Sequence, residues 1–323
     1  MKPVLAVTAG DPLGIGPEVT VKALQDPAVR AAARFIVVGE PSTLYAAGFT
    51  DDLAALLPVE HPQAALNAPH APCSWAGEVS FKALQTACKL AAGKKAQALV
   101  TAPISKQSWA LAGVEFTGHT EFLRRYYGPE ALMMFISGPL RCALVSEHFA
   151  LADLPRILTQ ARITHTARQF AAALQRLHLE NPQIAVSALN PHAGDNGRFG
   201  QEENTVLAPA IKTLQQEGLS ITGPYPIDSL WLAHTRGKFD GLLCLYHDQA
   251  LLGLKLAARE PIVHITAGLQ FLRVSPTHGT AFDIAGQNRA DPGSMKAALL
   301  FAAAHRPVKF KPQTGPFFVR MRV

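Results

Sequence analysis

QIAVSALNPHAGDNGRFGQEENTVLAPAIKTLQQEG, residues 183–218, reads as a strand, a loop and a helix in direct succession. Gln183–Asn190 is a short apolar run of strand length. Glu202–Gly218 repeats its apolar residues at helical spacing, and Pro209 is expected to kink that helix. Between the two, Pro191 and Gly194 frame His192. A histidine held in so tight a turn, just past a strand, is an odd choice for a mere connector.

The same alternation extends outward. VLAVTAG (Val4–Gly10) reads as a strand, and GPEVTVKALQ (Gly16–Gln25) as a helix whose Pro17 sits where a missing N–H costs nothing. RFIVVGE (34–40) and AQALVTAP (96–103) are further strands, with GEVSFKALQTACKLAAGK (77–94) a helix between them. LMMFISGPLRCALVS (132–146) reads as two strands joined at Gly138-Pro139, a hairpin. A long helix follows within 164–179, then strands in FDGLLCLYHD (239–248) and PIVHITAG (261–268), and a helix in GSMKAALLFAAAH (293–305). SPTHGTAFDIAG (275–286) looks like a polar loop opening a helix. Strand–helix alternation predicts α/β layers around a largely parallel sheet. With no internal repeat or low-complexity linker, two interwoven lobes are expected rather than two joined end to end. The tail after His305 breaks the pattern and is left unassigned.

The chain has 323 residues, 48% of them hydrophobic, enough for a sizeable core and against disorder. The first apolar run is too short, and too soon broken by Thr8 and Asp11, for a secretory signal. No stretch approaches the ~20 apolar residues of a membrane span, so a cytoplasmic protein is expected. The net charge is +6, but Lys and Arg are scattered rather than striped. That suits a small anionic substrate better than nucleic acid. Cys73, Cys88, Cys142 and Cys244 form no CxxC pair and are expected to be free and largely buried.

Three of the twelve histidines end apolar runs: His148 in CALVSEHFAL, His192 in AVSALNPHAG and His247 in LLCLYHDQA. In α/β sheets ligands bind outside the carboxyl ends of strands. Imidazoles at three such ends could share one divalent ion with positions left open for substrate, or each could be a hydrogen-bonded structural residue. His234 and His178 read as packed or solvated. In FTGHTEFLRR, His119 and Thr120 follow Gly118 at a helix start, which could cradle an anion or simply cap the helix with Thr117 or Thr120. Lys255 and Arg273 could clamp a phosphate or carboxylate, or snorkel to solvent. TAGDPLGIGPE lacks the G-x-G-x-x-G spacing of a Rossmann turn, with Glu40 the only candidate acid after the second strand.

Taken together these segments resemble the 4-hydroxythreonine-4-phosphate dehydrogenase family. GDPLGIGPE, TAPISK, GVEFTGHTEF, LNPHAGDNGRFGQEE, YHDQALLGLK and HGTAFDIAG occur in the family's order, over almost the whole chain to about His305. The resemblance implies two α/β/α lobes with a cleft between them, as in isocitrate and isopropylmalate dehydrogenases. Residues 1–127 and 256–323 would form a first, cofactor-side lobe, and 128–255 a second lobe with the metal ligands and dimer contacts. It implies a homodimer with the active site at the subunit interface. It further implies a divalent metal (zinc, cobalt or magnesium) on His148, His192 and His247, and substrate contacts on His119, Thr120, Lys255, His264 and Arg273. Lys255 and Asp228 are the candidates for moving the hydroxyl proton. NAD or NADP is placed on the loop with Gly279, Thr280 and Asp283. The reaction implied is oxidation of the C3 hydroxyl of 4-phosphooxy-L-threonine and decarboxylation to 3-amino-2-oxopropyl phosphate, in vitamin B6 biosynthesis.

The chain departs from the family in places. VHITAGLQF puts His264 where the family has an asparagine, Thr277 stands where an aspartate is common, and Ala250 and Gly253 replace Gly and Pro. His264 in particular keeps two alternatives open: oxidation of threonate or erythronate 4-phosphate, and a non-catalytic phosphate-binding paralogue. A metallohydrolase on the same histidines would need Glu147 or Asp248 as base.

Overall fold

The computed structural model describes residues 2–64 and 69–305; the tail 306–323 lies outside the described residues. The chain divides into two compact units, Met1–Pro129 with Val263–Val323, and Glu130–Ile262.

The first unit opens with β1 (Val4–Thr8), α1 (Gly16–Gln25), α2 (Pro27–Ala32), β2 (Arg34–Gly39), α3 (Pro41–Ala46) and β3 (Ala55–Pro58). It continues with α4 (Ser74–Ala92), β4 (Ala98–Thr101), α5 (Lys106–Leu111) and α6 (His119–Tyr127). The second unit runs β5 (Leu132–Ser137), β6 (Leu140–Leu144), α7 (Leu154–Ile157), α8 (Gln160–Arg176), β7 (Ile184–Ser187) and α9 (Ala208–Gln216). It ends with β8 (Ile221–Tyr225), α10 (Ile227–Thr235), β9 (Gly241–Cys244) and α11 (His247–Ala257). The chain then returns to the first unit through β10 (Val263–Ala267), β11 (Leu272–Pro276) and α12 (Gly293–Ala304).

In the first unit the strand order is β3-β2-β1-β4-β11-β10, parallel throughout except that β10 runs antiparallel to β11. In the second it is β5-β6-β9-β7-β8, parallel from β6 onward, with β5 and β6 the antiparallel hairpin read at Gly138-Pro139. Central strands β4, β7 and β9 are buried along their whole length. Parallel strands covered on both faces need that continuous apolar character. In the second unit Leu144, Leu242, Cys244, Leu230, Trp231 and Leu254 pack into one core cluster. The four cysteines are free, and all but Cys73 are buried. Among the described residues no helix is long and apolar enough to cross a membrane.

Pro209 falls in the first turn of α9, directly after a π-type turn, and the backbone stays helical across the junction. Glu203–Leu207 forms a π-type turn and α9 starts at Ala208. The proline leaves the Thr205 carbonyl without its helical N–H, and the Gln160 side-chain amide donates to it instead, at 3.0 Å. No helix opens in 275–286. Ala281, Gly286 and Asn288 all take positive φ, and the next helix waits for Gly293, after Asp291-Pro292. Glu40 is no ribose ligand: its buried carboxylate accepts from Thr43 N at 2.8 Å and caps α3.

Candidate active site

Three of the parallel strands in the second unit, β6, β9 and β7, are neighbours. Their C-terminal ends lead, within a few residues each, to His148, His247 and His192. Strands lie about 4.8 Å apart in a sheet, so the topology brings three imidazole-bearing connections to one edge. The His148 and His247 rings stand 5.5 Å apart, centroid to centroid, tilted by 37°. Two imidazoles on one tetrahedral ion, with bonds of about 2.1 Å, would have centroids roughly 5 Å apart, so the pair fits such an ion. His247 opens α11, and its Nδ1 donates to Asp248 Oδ1 at 2.7 Å. That bond leaves the Nε2 lone pair for a ligand, as in metal-bound histidines generally. His192 is exposed and not part of this pair. Among the described residues of one chain, no three His, Cys, Asp or Glu side chains form a metal-sized group.

His192 sits in a left-handed turn. His192, Ala193, Gly194, Asp195, Asn196 and Gly197 all have positive φ, between +43° and +91°. For residues with a side chain each such conformation costs on the order of 1 kcal/mol, so the turn persists only because its flanks are held. Glu203, 3% exposed, does the holding. One of its oxygens accepts from Leu189 N (2.9 Å) and Asn190 N (2.8 Å), the other from Asn190 Nδ2 (2.9 Å). Burial alone would raise this carboxyl's pKa, but those hydrogen bonds outweigh it and hold it below the ordinary range. Phe199 N closes the turn onto Gly194 O at 3.0 Å.

In the first unit Arg273, on β11, is 3% exposed. Its Nη1 donates to Thr266 Oγ1 (2.9 Å) and His264 Nδ1 (3.1 Å), and its Nη2 to Thr101 Oγ1 (2.7 Å). None of these partners is acidic, and Nε is buried with no hydrogen-bond partner among the described residues. Burial lowers the guanidinium to about 10, still charged at neutral pH. Because His264 Nδ1 accepts, the neutral ring carries its proton on Nε2. His119, the first residue of α6, has its Nε2 buried and packs edge-on against Trp109 at 5.7 Å. Burial, and then the charge of Arg273, hold His119 well below the usual histidine range, so it is neutral. Thr120 follows in the same turn. Neither it nor Thr117 caps α6; Thr117 instead donates its N–H and hydroxyl to Glu121, at 2.7 and 2.8 Å.

Lys255, on α11, and Asp228, in the first turn of α10, are both exposed in the second unit. Gly279, Thr280 and Asp283 lie on the loop between β11 and α12, where the Thr280 carbonyl accepts from Ile15 N at 2.9 Å. A Cβ at Gly279 would meet nothing within 4 Å, so a ligand could approach its backbone. His234 is packed: 2% exposed, it donates from Nδ1 to Phe239 O and accepts Arg141 N–H at Nε2, both at 3.0 Å. His178 is exposed at the end of α8. The substitution at 253 has a partner: any Cβ there would collide with the Trp231 indole, which therefore occupies that space. Sequence reasoning missed Glu203 and Gln249, both buried polar residues beside the histidine connections.

The model of the pyridoxal phosphate biosynthetic protein PdxA family matches residues 21–302. The chain belongs to this family. It is 40% identical to the 4-hydroxythreonine-4-phosphate dehydrogenase of Geobacter metallireducens, over 95% of this chain and 97% of that protein. It is 41% identical to the Erythrobacter litoralis enzyme of the same name, over 92% and 95%. The crystal structure of the Klebsiella pneumoniae 4-hydroxythreonine-4-phosphate dehydrogenase superposes with a TM-score of 0.84 at 32% identity, covering 95% of this chain and 99% of that one.

Proposed function

We propose that the protein is a metal- and NAD(P)-dependent dehydrogenase that oxidises the C3 hydroxyl of 4-phosphooxy-L-threonine. A bound nicotinamide would accept the hydride from C3, and the resulting 3-oxo acid would lose CO₂ to give 3-amino-2-oxopropyl phosphate, on the route to pyridoxal phosphate. Family membership along nearly the whole chain supports this reading. The observation that carries it is the strand order β6-β9-β7, with a histidine beyond each carboxyl end.

His148, His192 and His247 would hold the ion, and an all-imidazole set favours zinc or cobalt over magnesium. A divalent ion supplies Lewis acidity, which acidifies an alcohol and polarises a ketone. Arg273 offers a buried positive charge, bonded only to neutral groups, to an anionic end of the substrate. Neutral His119 and His264 add ring N–H groups, and Thr120 a hydroxyl. Lys255 binds the other anionic end, and it or Asp228 takes the hydroxyl proton. The open backbone at Gly279, with Thr280 and Asp283, takes the nicotinamide cofactor.

We propose a homodimer that brings the site to the subunit interface. Leu232, on α10, and Leu252 and Leu256, on α11, are 59%, 63% and 80% exposed. A second copy covering them would sit on the helix that begins with His247.

Cofactor reduction with zinc, cobalt or magnesium tests the reading: 4-phosphooxy-L-threonine should be oxidised in preference to threonate and erythronate 4-phosphates. Chelation should abolish the reaction, and His192→Ala should lower kcat by about 100-fold or more, the scale of losing one transition-state stabilising group. Preference for a sugar acid would replace the substrate. Tight binding of all three without hydride transfer would favour the non-catalytic paralogue.

A further inference from the structure

The ladder between β7 and β9 stops at Val186 and Leu243. Beyond it, at the edge that leads to His192 and His247, the two strands are no longer joined backbone to backbone. The side-chain amide of Gln249, 6% exposed in the first turns of α11, lies between them. Its Oε1 accepts from Leu245 N, just past β9, at 3.0 Å, and from Ser187 Oγ at 2.8 Å, while Leu245 N also reaches Ser187 Oγ at a longer 3.2 Å. Its Nε2 donates to Ala188 O, just past β7, at 2.7 Å. A primary amide has the donor and acceptor of a peptide group, so Gln249 acts as one inserted rung of sheet. On the side away from β9, β7 stays paired with β8, through a register shift between Ala185 and Ser187, and Ala188 N donates to Tyr225 O at 2.8 Å. On its other side β9 stays zipped to β6: Val145 N and Ser146 N donate to Cys244 O and Leu245 O, and Ser146 Oγ adds a bond to Leu245 O at 2.7 Å. The Gln249 backbone carbonyl is itself fixed by Trp231 Nε1, at 2.8 Å.

We propose that Gln249 is the positioning residue of the metal site: its amide bridges β7 and β9 and sets the separation of the connections bearing His192 and His247. The proposal rests on reading those histidines as ligands of one divalent ion. A continued ladder would keep the two strand ends about 4.8 Å apart. The amide takes the place of the next rung, while β6 and β9 stay zipped, which matches the contact of His148 with His247 and the separate position of His192. Both the oxygen and the nitrogen of the Gln249 amide are hydrogen-bonded, and such buried networks fix a single geometry.

Gln249→Met keeps the length of the side chain and deletes the rung. Its cobalt affinity, measured by competition with a chromophoric chelator, should fall by about 10- to 100-fold, the range seen for groups that orient metal ligands, and its visible cobalt spectrum should shift. Leu254→Ala, a fully buried truncation on the same helix, is the control: it should lower the thermal midpoint yet leave affinity and spectrum unchanged. Ser187→Ala removes one bond to the amide and the longer one from Leu245 N, and should give a smaller loss of affinity in the same direction, which keeps the proposal testable if Gln249→Met fails to fold. Wild-type affinity and spectrum in the folded Gln249→Met or Ser187→Ala protein would overturn it, as would an equal loss in Leu254→Ala. A wild-type protein whose cobalt binding ignores His192→Ala and His247→Ala would instead overturn the metal reading, and the proposal with it.

Discussion

The two units share a plan, a parallel sheet with one antiparallel pair, but treat their chemically active groups in opposite ways. The first buries a charge: among the described residues, Arg273 hydrogen-bonds to threonines and a histidine and to no carboxylate. The second leaves His192 exposed and His247 part-exposed, and buries the groups that hold their backbone, Gln249 and Glu203. A buried charge that lacks an ionic partner destabilises the fold until an anion arrives. An exposed imidazole costs the fold nothing. Substitutions in the first unit's cluster should therefore trade stability for binding, whereas in the second unit the ligands and their supports should separate into two classes.

The largest effect is expected at Arg273. Arg273→Met should cost about 3–5 kcal/mol of interaction with an anionic substrate, a fall of 10²–10³-fold or more in kcat/KM. Its thermal midpoint should hold or rise, because an apolar side chain of similar length needs no counter-charge. Calorimetry and kinetics on one preparation check both halves. A midpoint drop like that of an ordinary core truncation would show that the guanidinium is structural glue, and the contrast between the units would fail.

Acid sharpens the contrast next. Burial pushes His234 down to about 4 from an ordinary 6.5, so the unfolded chain takes up its proton first as pH falls. The neutral, doubly hydrogen-bonded ring thus contributes its full stability above pH 6.5 and loses it on the way down to about pH 4. At ~1.4 kcal/mol per tenfold change in proton affinity this amounts to about 3 kcal/mol. His119 adds a loss of the same sign in the first unit, since its proton affinity is also depressed. Urea midpoints from pH 7 to 4 should fall less steeply in His234→Gln.

Much of this architecture was legible locally. The β7–loop–helix unit and the Gly138-Pro139 hairpin follow from periodicity and turn chemistry. The position of each histidine past a strand end was also legible. What one sequence does not reveal is which strands are neighbours: β9 enters between β6 and β7 from more than 50 residues downstream of β7, a long-range pairing with no local signature. The loop at 275–286 was read as opening a helix, and positive φ at Ala281, a residue that rarely adopts it, is not something residue type signals. Gln249 escaped notice because a glutamine in the first turns of a helix is an ordinary surface residue until the sheet ends close around it.

Glu203 should show the support class in the second unit. Glu203→Gln replaces one acceptor oxygen with a donor, facing backbone N–H groups or the Asn190 amide. Leaving such buried donors unmatched costs about 1–3 kcal/mol. The wild-type carboxylate, held below its ordinary 4.5, contributes stability above that pH and loses it as pH falls further. The acid limb below pH 4.5 should therefore flatten in the variant. Urea titrations of both proteins on either side of pH 4.5 read this directly.

The smallest effect tests whether the left-handed turn is held for His192 or is incidental to it. Ala193, at φ +54° and ψ +41°, adopts a conformation that glycine takes without penalty. Ala193→Gly should remove a strain of on the order of 1 kcal/mol, and part of that gain returns to the greater freedom of glycine in the unfolded chain. The net change should be a stabilisation of about 0.5 kcal/mol or less. If the strained turn exists to present His192, the same substitution should loosen it and weaken cobalt binding severalfold, so that stability and affinity move in opposite directions. If both rise together, the strain opposes binding, and Glu203 does no more than tolerate a turn whose shape the metal does not need.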